Sequence, residues 1–237
     1  MANVPAAELA AKNKAHFPNE SPAYREARNR LLAEEIELRR HVEAVAQQRR
    51  ALPLGGELPE DYTITGEKVP VKFSSLFGDK NTLVVYSYMY GPQREKPCPM
   101  CTSILSAWDG TARNFKDRAA IAVFARSPIE RLTAWKQQRH WLNLDLYSDS
   151  DGRYTRAYVS ADDADMPAIN VFTRRDDRIY HFWAAEINHE MCDPGQDPRG
   201  APDPDPLWTL LDMTPEGRDP KWYPKLEYTL EPLTQIR

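Results

Sequence analysis

The sequence predicts an α/β protein in which a mixed β-sheet lies between two layers of helices. Strand-like and helix-like segments alternate between Thr82 and Tyr147, which is typical of parallel strands joined by helices. Two apolar runs then flank a short polar turn between Ala168 and Trp183, which is typical of an antiparallel hairpin. A sheet that holds both arrangements is mixed, and helices on both of its faces make three layers.

The composition is that of a globular protein and argues against two classes of partner. Of the 237 residues, 41% are hydrophobic and 28% are charged, and no apolar run approaches the ~18 residues that a membrane-spanning helix needs. The 31 basic and 35 acidic residues give a formal net charge of −4, which does not attract a polyanion. The first 17 residues lack the apolar core of a secretory signal. We therefore expect a cytoplasmic protein that binds neither membranes nor nucleic acid.

A long amphipathic helix is predicted in the N-terminal part of the chain. Ser21-Pro22 supplies a helix N-cap followed by proline at the first helical position, and no glycine follows before residue 55. Apolar residues recur at helical spacing along one face, among them Leu31, Leu38, Val42 and Val45. This face indicates packing on the protein's own domain or, alternatively, a homodimer contact through the helix.

Clusters of glycine and proline divide the chain into three predicted regions. These are a helical arm over 1–53, an α/β domain over 54–192 and a C-terminal extension over 193–237. Within the domain, the predicted strands are 62–65, 69–73, 82–90, 119–125, 142–147, 168–173 and 178–183, and the predicted helices begin at Cys98 and at Ser127-Pro128. The extension is rich in proline and contains a short helix candidate at 207–211. Burial stabilises a large apolar side chain by about 1.5 to 3 kcal/mol, so we expect four of its residues to pack on the domain or on a second subunit. These are Trp208, Leu210, Leu211 and Met213.

The feature that carries chemistry is the motif Cys98-Pro-Met-Cys101, at the start of a predicted helix. A helix N-terminus stabilises an anion, so Cys98 should be a thiolate more often than a free cysteine is. Arg94 and Lys96 act in the same direction because of their charge. Cys101, one helical turn further on, can attack a mixed disulfide on Cys98. The pair therefore predicts thiol-disulfide exchange in which Cys98 attacks and Cys101 resolves.

The order of elements resembles the thioredoxin fold: a strand, a loop with two cysteines, a helix, a strand, a helix and a hairpin that follows a proline. In that fold a cis proline precedes the hairpin and lies against the cysteines, and Met166-Pro167 occupies this place. The resemblance implies substrate-binding residues at Met166 and Pro167. With the residues around the cysteines, the implied set is Pro97, Pro99, Met100, Met166 and Pro167. Thioredoxins also bury a carboxylate beneath their cysteines, and the strand 82–90 contains none.

A more specific resemblance covers residues 54–228. The segments that carry it are 98–110, 125–128, 140–141, 179–182 and 210–218. Together they resemble a bacterial thioredoxin-like family known as predicted dithiol-disulfide oxidoreductases of otherwise unknown function. The resemblance implies a redox-active cysteine pair that acts on a protein or small-molecule disulfide or thiol. It implies no cofactor and names no particular substrate. Members of that family more often have glycine where this chain has Pro97.

Other interpretations of the same residues stay open. The cysteines could be inert in a thioredoxin-fold binding or scaffolding protein, or could form half of a metal site. A zinc site lacks a second cysteine pair, although His189 and Cys192 could supply two distant ligands. His181 resembles the single distant histidine of copper chaperones with this fold, which have a longer cysteine spacing. A peroxiredoxin would need threonine or serine where Glu95 stands. We therefore expect no bound metal, and the aspartates at 162, 163 and 165 are expected in a solvated loop.

Overall fold

The computed structural model describes residues 3–161, 164–187, 189–194, 203–215, 217 and 221–228. The chain divides into two units, Met1–Pro53 and Leu54–Arg237, of which the first is helical and the second contains the sheet. Within the described residues, no helix has the length and apolar character to cross a membrane.

The N-terminal unit contains the predicted long helix. A short helix α1 (Ala6–Ala10) packs on α2 (Pro22–Arg50) and buries two alanines of its own. Ser21 caps α2, because its Oγ accepts a hydrogen bond from the backbone N–H of Tyr24 at 3.1 Å. The predicted helix and its start are thus confirmed. One side of α2 is exposed, including Leu31, Leu38 and Val42, and a homodimer contact through this side stays a prediction.

The second unit is built on a seven-stranded sheet with the order β2-β1-β5-β4-β3-β6-β7. Its strands are β1 (Thr63–Thr65), β2 (Pro70–Lys72), β3 (Thr82–Ser87), β4 (Ala120–Ala125), β5 (Leu146–Ser148), β6 (Ala168–Arg175) and β7 (Arg178–Ala184). The central strands β3, β4 and β5 are parallel, whereas β6 and β7 are antiparallel to their neighbours. The hairpin β1-β2 joins the other edge through an antiparallel pairing of β1 with β5.

Helices and loops cover both faces of this sheet. The helices on the sheet are α3 (Pro99–Lys116), α4 (Ile129–Gln138) and α5 (Arg153–Tyr158), whereas α6 (Pro206–Asp212) packs on α3. Side chains alternate along β3, so that Tyr86 joins a buried cluster with residues of α3 and α4, whereas Leu83 and Val85 join a second cluster with α5 and β6. The sequence prediction of a three-layer, thioredoxin-like α/β fold with a mixed sheet is therefore confirmed.

Three local predictions differ from the structure. The strand expected over 142–147 is shorter and later, since β5 spans only Leu146–Ser148. Ser127 is not a helix cap: α4 begins at Ile129, and the backbone N–H of Ser127 donates to the carbonyl of Tyr90 at 3.0 Å. An N-cap residue offers its carbonyl to the first turn of the helix, but the carbonyl of Ser127 accepts from the hydroxyl of Ser148 at 2.7 Å instead. Helix α5 was not predicted. Its first N–H groups are satisfied by the buried carboxylate of Asp149, which accepts from the N–H of Tyr154 and of Thr155.

The described part of the C-terminal extension packs on the domain at several points. Trp208 on α6 is buried, as predicted. The indole N–H of Trp108 donates to the carbonyl of Pro204 at 3.1 Å, and Arg139 donates to the carbonyl of Leu226 at 2.8 Å. The domain does not bury Leu210 and Met213, which are 62% and 75% exposed, and their packing on a second subunit stays a prediction. Both lie on or just after a helix of only two turns, one side of which contacts the domain.

Candidate active site

The two cysteines lie at the carboxyl end of β3, where a loop leads into α3. Cys98 is the N-cap residue of α3, with extended backbone angles and Pro99 in the first turn. Its N–H donates to the carbonyl of Met89 at 3.1 Å, and its carbonyl accepts from the N–H of Thr102 at 3.0 Å. These two bonds fix the backbone of Cys98, and its side chain lies at the positive end of the helix dipole.

The two thiols differ in exposure and in acidity. Cys98 is half-buried, Cys101 is 2% exposed, and neither forms a disulfide. A hydrogen bond from the Cys101 thiol, together with the N–H groups of Cys101 and Met100, lowers the pKa of Cys98 to about 6, against the opposing effect of partial burial. The same hydrogen bond, burial and the charge on Cys98 raise the pKa of Cys101 well above its ordinary value. At neutral pH the pair is therefore a thiolate on Cys98 and a thiol on Cys101.

A cation in the preceding loop adds to this effect. The charge of Arg94 lowers the pKa of Cys98 further, as predicted, whereas Lys96 is not among the main causes. Arg94 is held by Asp165, whose carboxylate accepts from the guanidinium at 2.5 Å and from the N–H of Gly91 at 3.0 Å. The prediction that Asp165 lies in a solvated loop is wrong, since this carboxylate joins two loops that flank the cysteines. Residues 162 and 163 lie outside the described part of the chain.

Arg131 on α4 holds the same loop from the other side. Its guanidinium donates to the carbonyls of Arg94 and Glu95 and lies 4.3 Å from the centroid of the Tyr90 ring. The loop is thereby fixed by contacts to its backbone. The sequence carries no signal for this role, because an arginine on an amphipathic helix is most often solvent-exposed.

A buried chain of hydrogen bonds supports the first turn of α3. The hydroxyl of Thr102 donates to the carbonyl of Cys98 at 2.8 Å and lies 2.6 Å from the hydroxyl of Tyr88. Because the hydroxyl proton of Thr102 is used in the first bond, Tyr88 donates in the second. The indole N–H of Trp135 donates to Tyr88 at 2.9 Å. Each donor therefore has an acceptor, and the position of Cys98 is tied to β3 and α4.

Beneath Cys101 lies Tyr86 of β3, in the place where the sequence offers no carboxylate. Tyr86 is 2% exposed and belongs to the same buried cluster as Cys101, and its hydroxyl acts to lower the pKa of Cys101 against the larger effects that raise it. The ring of Trp108 packs edge-on against it, with 5.4 Å between centroids. Sequence reasoning missed this residue, although its place two positions before Tyr88 puts it on the same face of the strand.

The residues implied as substrate-binding differ in exposure. Pro97 is buried and Pro99 half-buried, whereas Met100, Met166 and Pro167 are exposed around the cysteines' loop and the start of β6. Pro167 directly precedes β6, in which Ala168 pairs with Ser87 and Ile169 pairs with Tyr86. This register brings the loop before β6 to the sheet edge where α3 begins. A cis Met166-Pro167 bond in contact with Cys98 stays a prediction.

The residues considered as metal ligands do not lie with the cysteine pair. His181 lies on the opposite face of the sheet from Cys101, stacked on Tyr158 and hydrogen-bonded to Asn170 at 3.0 Å, and burial lowers its pKa. Cys192 follows a 3₁₀ turn, His189–Met191, and the side chain of His189 lies outside the described part of the structure. Among the described residues, no group of three or more His, Cys, Asp and Glu side chains could hold a metal ion.

The fold and the cysteine pair define a thioredoxin-like protein with two thiols at a helix N-terminus. More specifically, the chain belongs to the family described as bacterial protein of unknown function (DUF899), whose model matches residues 14–229. The description of this family names no activity, so the dithiol-disulfide oxidoreductase implied by the sequence stays a prediction. Comparison with curated proteins finds no match.

Solved structures similar to this chain include thioredoxins and peroxiredoxins. An exposed lipoprotein thioredoxin, Etrx1, from Streptococcus pneumoniae strain TIGR4 is 16% identical over 53% of this chain and 87% of its own, with a TM-score of 0.40. Peroxiredoxin Q from Xanthomonas campestris is 16% identical over 56% and 84%, with a TM-score of 0.44. Peroxidoxin BcpB from Mycobacterium tuberculosis is 18% identical over 54% and 82%, with a TM-score of 0.42.

Proposed function

We propose that the protein is a thiol-disulfide oxidoreductase in which Cys98 attacks disulfides and Cys101 resolves the mixed disulfide. One observation carries the proposal: a half-buried Cys98 at the N-terminus of α3, with a pKa lowered to about 6, is backed by the buried thiol of Cys101. Thiolates, and not thiols, attack disulfides, so a lowered pKa makes Cys98 reactive at neutral pH.

The reaction proceeds in two exchange steps. The Cys98 thiolate attacks one sulfur of a substrate disulfide, a new sulfur–sulfur bond forms, and the other substrate sulfur leaves as a thiolate. Cys101 then loses its proton, which passes through solvent to a thiolate that has left, and attacks Cys98. The second substrate sulfur leaves, the substrate is reduced by two electrons and the protein holds a Cys98–Cys101 disulfide. A dithiol reductant or two molecules of a monothiol return the protein to its starting state, and the reverse sequence oxidises a dithiol.

The surroundings of Cys98 favour a substrate that presents a disulfide or thiol on a protein or a small molecule. Met100 and Met166 are exposed, and methionine side chains adapt to varied apolar surfaces. The reaction suits the cytoplasm, where thiols are kept reduced. A homodimer through the exposed side of α2 belongs to the same proposal, and sedimentation of the wild type against Leu38→Glu tests it: the variant should shift a dimer to monomer.

Redox titration tests the central step. Equilibration of the Cys192→Ser protein in graded thiol and disulfide buffers, with mass measurement after alkylation, should show a reversible two-electron Cys98–Cys101 couple between roughly −270 and −200 mV. Cys192→Ser removes the third thiol and simplifies the count. Two thiols that stay reduced even at potentials above about −120 mV, the value of a strongly oxidising natural couple, would instead indicate inert cysteines in a binding or scaffolding protein.

Trapping identifies the substrate class. In Cys101→Ser the mixed disulfide on Cys98 cannot be resolved, so a physiological partner should accumulate as an adduct that reductant releases. Cys98→Ser is the matched control and should trap nothing. Equal adducts on both variants would contradict the assignment of Cys98 as the attacking thiol.

A further inference from the structure

We propose that Tyr86 is the hydrogen-bond donor that stabilises Cys101 as a thiolate when Cys101 resolves the mixed disulfide. The inference rests on the proposed function and concerns its second step. It gives a role to a buried side chain that shares a cluster with the sulfur of Cys101. This side chain belongs neither to the cysteine motif nor to the loop before Cys98.

The placement of Tyr86 is specific. Its ring is held on β3 between the buried cluster and the ring of Trp108, and the backbone of β3 is paired with β4 on one side and with β6 on the other. Both Tyr86 and Cys101 are 2% exposed, so water does not compete for the hydroxyl or for the sulfur. A hydrogen bond to a charged group in such surroundings is stronger than one between neutral groups.

Three groups influence one another through the cysteine sulfurs. The hydroxyl of Tyr86, in the same buried cluster as Cys101, acts to lower the pKa of Cys101, and the thiol of Cys101 acts to lower the pKa of Cys98. Burial and the neighbouring cysteine sulfurs raise the pKa of Tyr86 well above its ordinary value, so its phenol keeps its proton throughout. Tyr86 is therefore a fixed donor and not a proton acceptor.

The need for such a donor follows from the charges around Cys101. The titratable groups that act on it are Cys98 on the same helix and Tyr86 on β3, while Tyr88 on β3 feels the charge of both cysteines. No carboxylate is among the main causes of the Cys101 shift, so no buried acid takes its proton. When Cys98 enters a mixed disulfide, its negative charge disappears and with it one cause of the high pKa of Cys101. The hydroxyl of Tyr86 and the backbone N–H of Met89 then favour the thiolate form of Cys101.

The chemical step is balanced without a further reactant. The proton of Cys101 is lost to solvent and is taken up by a substrate thiolate, and the Cys101 thiolate attacks the sulfur of Cys98. The bond between Cys98 and the substrate sulfur breaks as the Cys98–Cys101 bond forms. Tyr86 keeps its own proton and contributes only the hydrogen bond that stabilises the nucleophile.

The two steps are observed separately with the aromatic disulfide DTNB, added in equimolar amount to reduced protein in the Cys192→Ser background. Attack by Cys98 releases a first coloured thiolate, and attack by Cys101 releases a second. Both releases are followed by stopped-flow absorbance as a function of pH. The first release should have the same rate and pH midpoint in wild type and in Tyr86→Phe.

The second release should depend on Tyr86. Loss of a hydrogen bond to a charged group should move its pH profile upward by about one unit or more. For a shift of one unit, the thiolate fraction below the midpoint falls about tenfold while the intrinsic nucleophilicity of the thiolate rises about threefold, so the second release slows about threefold. A general loosening of the structure would slow the release without moving its pH profile.

Tyr154→Phe is the matched control, because it removes a phenol hydroxyl that is equally buried but lies in the cluster on the other face of the sheet. It should leave both releases at their wild-type midpoints. An unchanged profile of the second release in Tyr86→Phe would overturn the role of Tyr86 and leave the proposed function intact. Absence of any second release from the wild type would instead mean that the cysteines do not form a disulfide and that the proposed function fails.

Discussion

Two helices of this protein begin with the same local design and use it differently. Helix α2 starts at Ser21-Pro22 and α3 at Cys98-Pro99, each with an extended N-cap residue followed by proline. At α2 the cap oxygen accepts a hydrogen bond from the N–H of Tyr24, which stabilises the helix. At α3 a sulfur takes the place of the oxygen, and the N–H groups of the first turn stabilise a thiolate.

The two helix ends differ in the groups that surround the N-cap residue. Ser21 is exposed and is served by one backbone group. Cys98 has a second thiol behind it, a cation in the preceding loop, and a buried hydrogen-bonded chain that fixes its carbonyl. A helix N-terminus supplies the local field, but the tertiary structure decides whether that field supports stability or chemistry.

Cys98→Ser should give the largest effect, because it turns the cap of α3 into the kind found at α2. We expect complete loss of disulfide exchange, since a serine hydroxyl does not attack disulfides at neutral pH. Serine is among the preferred N-cap residues, so the melting temperature should not fall. Exchange of DTNB by the Cys98→Ser, Cys192→Ser protein at the wild-type rate would contradict the assignment.

Thr102→Val should have the next largest effect, because it breaks the chain beneath Cys98. The hydroxyl of Tyr88 loses its acceptor in a buried site, and an unsatisfied buried polar group costs about 1 to 3 kcal/mol. Urea unfolding of the reduced protein measures this loss. Thr111→Val on the exposed side of the same helix is the control and should change stability by less than about 0.5 kcal/mol.

Ser21→Cys, in a chain whose three native cysteines are replaced by serine, measures how far a helix N-terminus by itself lowers the pKa of a thiol. The new thiol should have an alkylation midpoint below the ~8.5 of a free cysteine but clearly above that of Cys98. The reason is that no second thiol or loop cation stands behind it. A midpoint equal to that of Cys98 would show that the groups behind Cys98 contribute nothing.

Arg94→Gln should give the smallest effect. Arg94 is the last of the main causes that lower the pKa of Cys98, and it is partly exposed and screened by solvent. We expect the pKa of Cys98 to rise by a few tenths of a unit at low salt. Lys96→Gln removes a cation from the same loop and should leave the pKa of Cys98 unchanged, and 1 M salt should reduce the effect of Arg94→Gln.

The elements that the sequence predicts correctly are those specified by short stretches of neighbouring residues. The start of α2, the start of α3 and the hairpin β6-β7 each depend on a few neighbouring residues, and all three are confirmed. Ser127-Pro128 carries the same dipeptide as Ser21-Pro22 and fails as a cap, because the carbonyl of Ser127 accepts from the hydroxyl of Ser148 and not from the first turn of α4. An identical local signal therefore gives two outcomes when tertiary hydrogen bonds compete.

The groups around the cysteines could be predicted only in part. Cys98, Cys101 and Arg94 are close in sequence, and their placement follows from the helix. Asp165 reaches the site through the pairing of β3 with β6 and through loop closure, which no pattern of neighbouring residues indicates. Tyr86 lies on the same strand face as Tyr88, at the place where thioredoxins have a carboxylate, and its phenol can donate a hydrogen bond to a thiolate.

The pH dependence of alkylation of Cys98 tests the central claim most directly. Because its pKa is lowered to about 6, the thiolate prevails above that pH and is lost only as the pH falls through it. Iodoacetamide labelling of the reduced Cys192→Ser protein, read at each cysteine by peptide mass, should therefore reach half its maximal rate at Cys98 near pH 6. Cys101 should stay unlabelled at neutral pH. A midpoint for Cys98 near the ~8.5 of an unperturbed thiol would contradict the account.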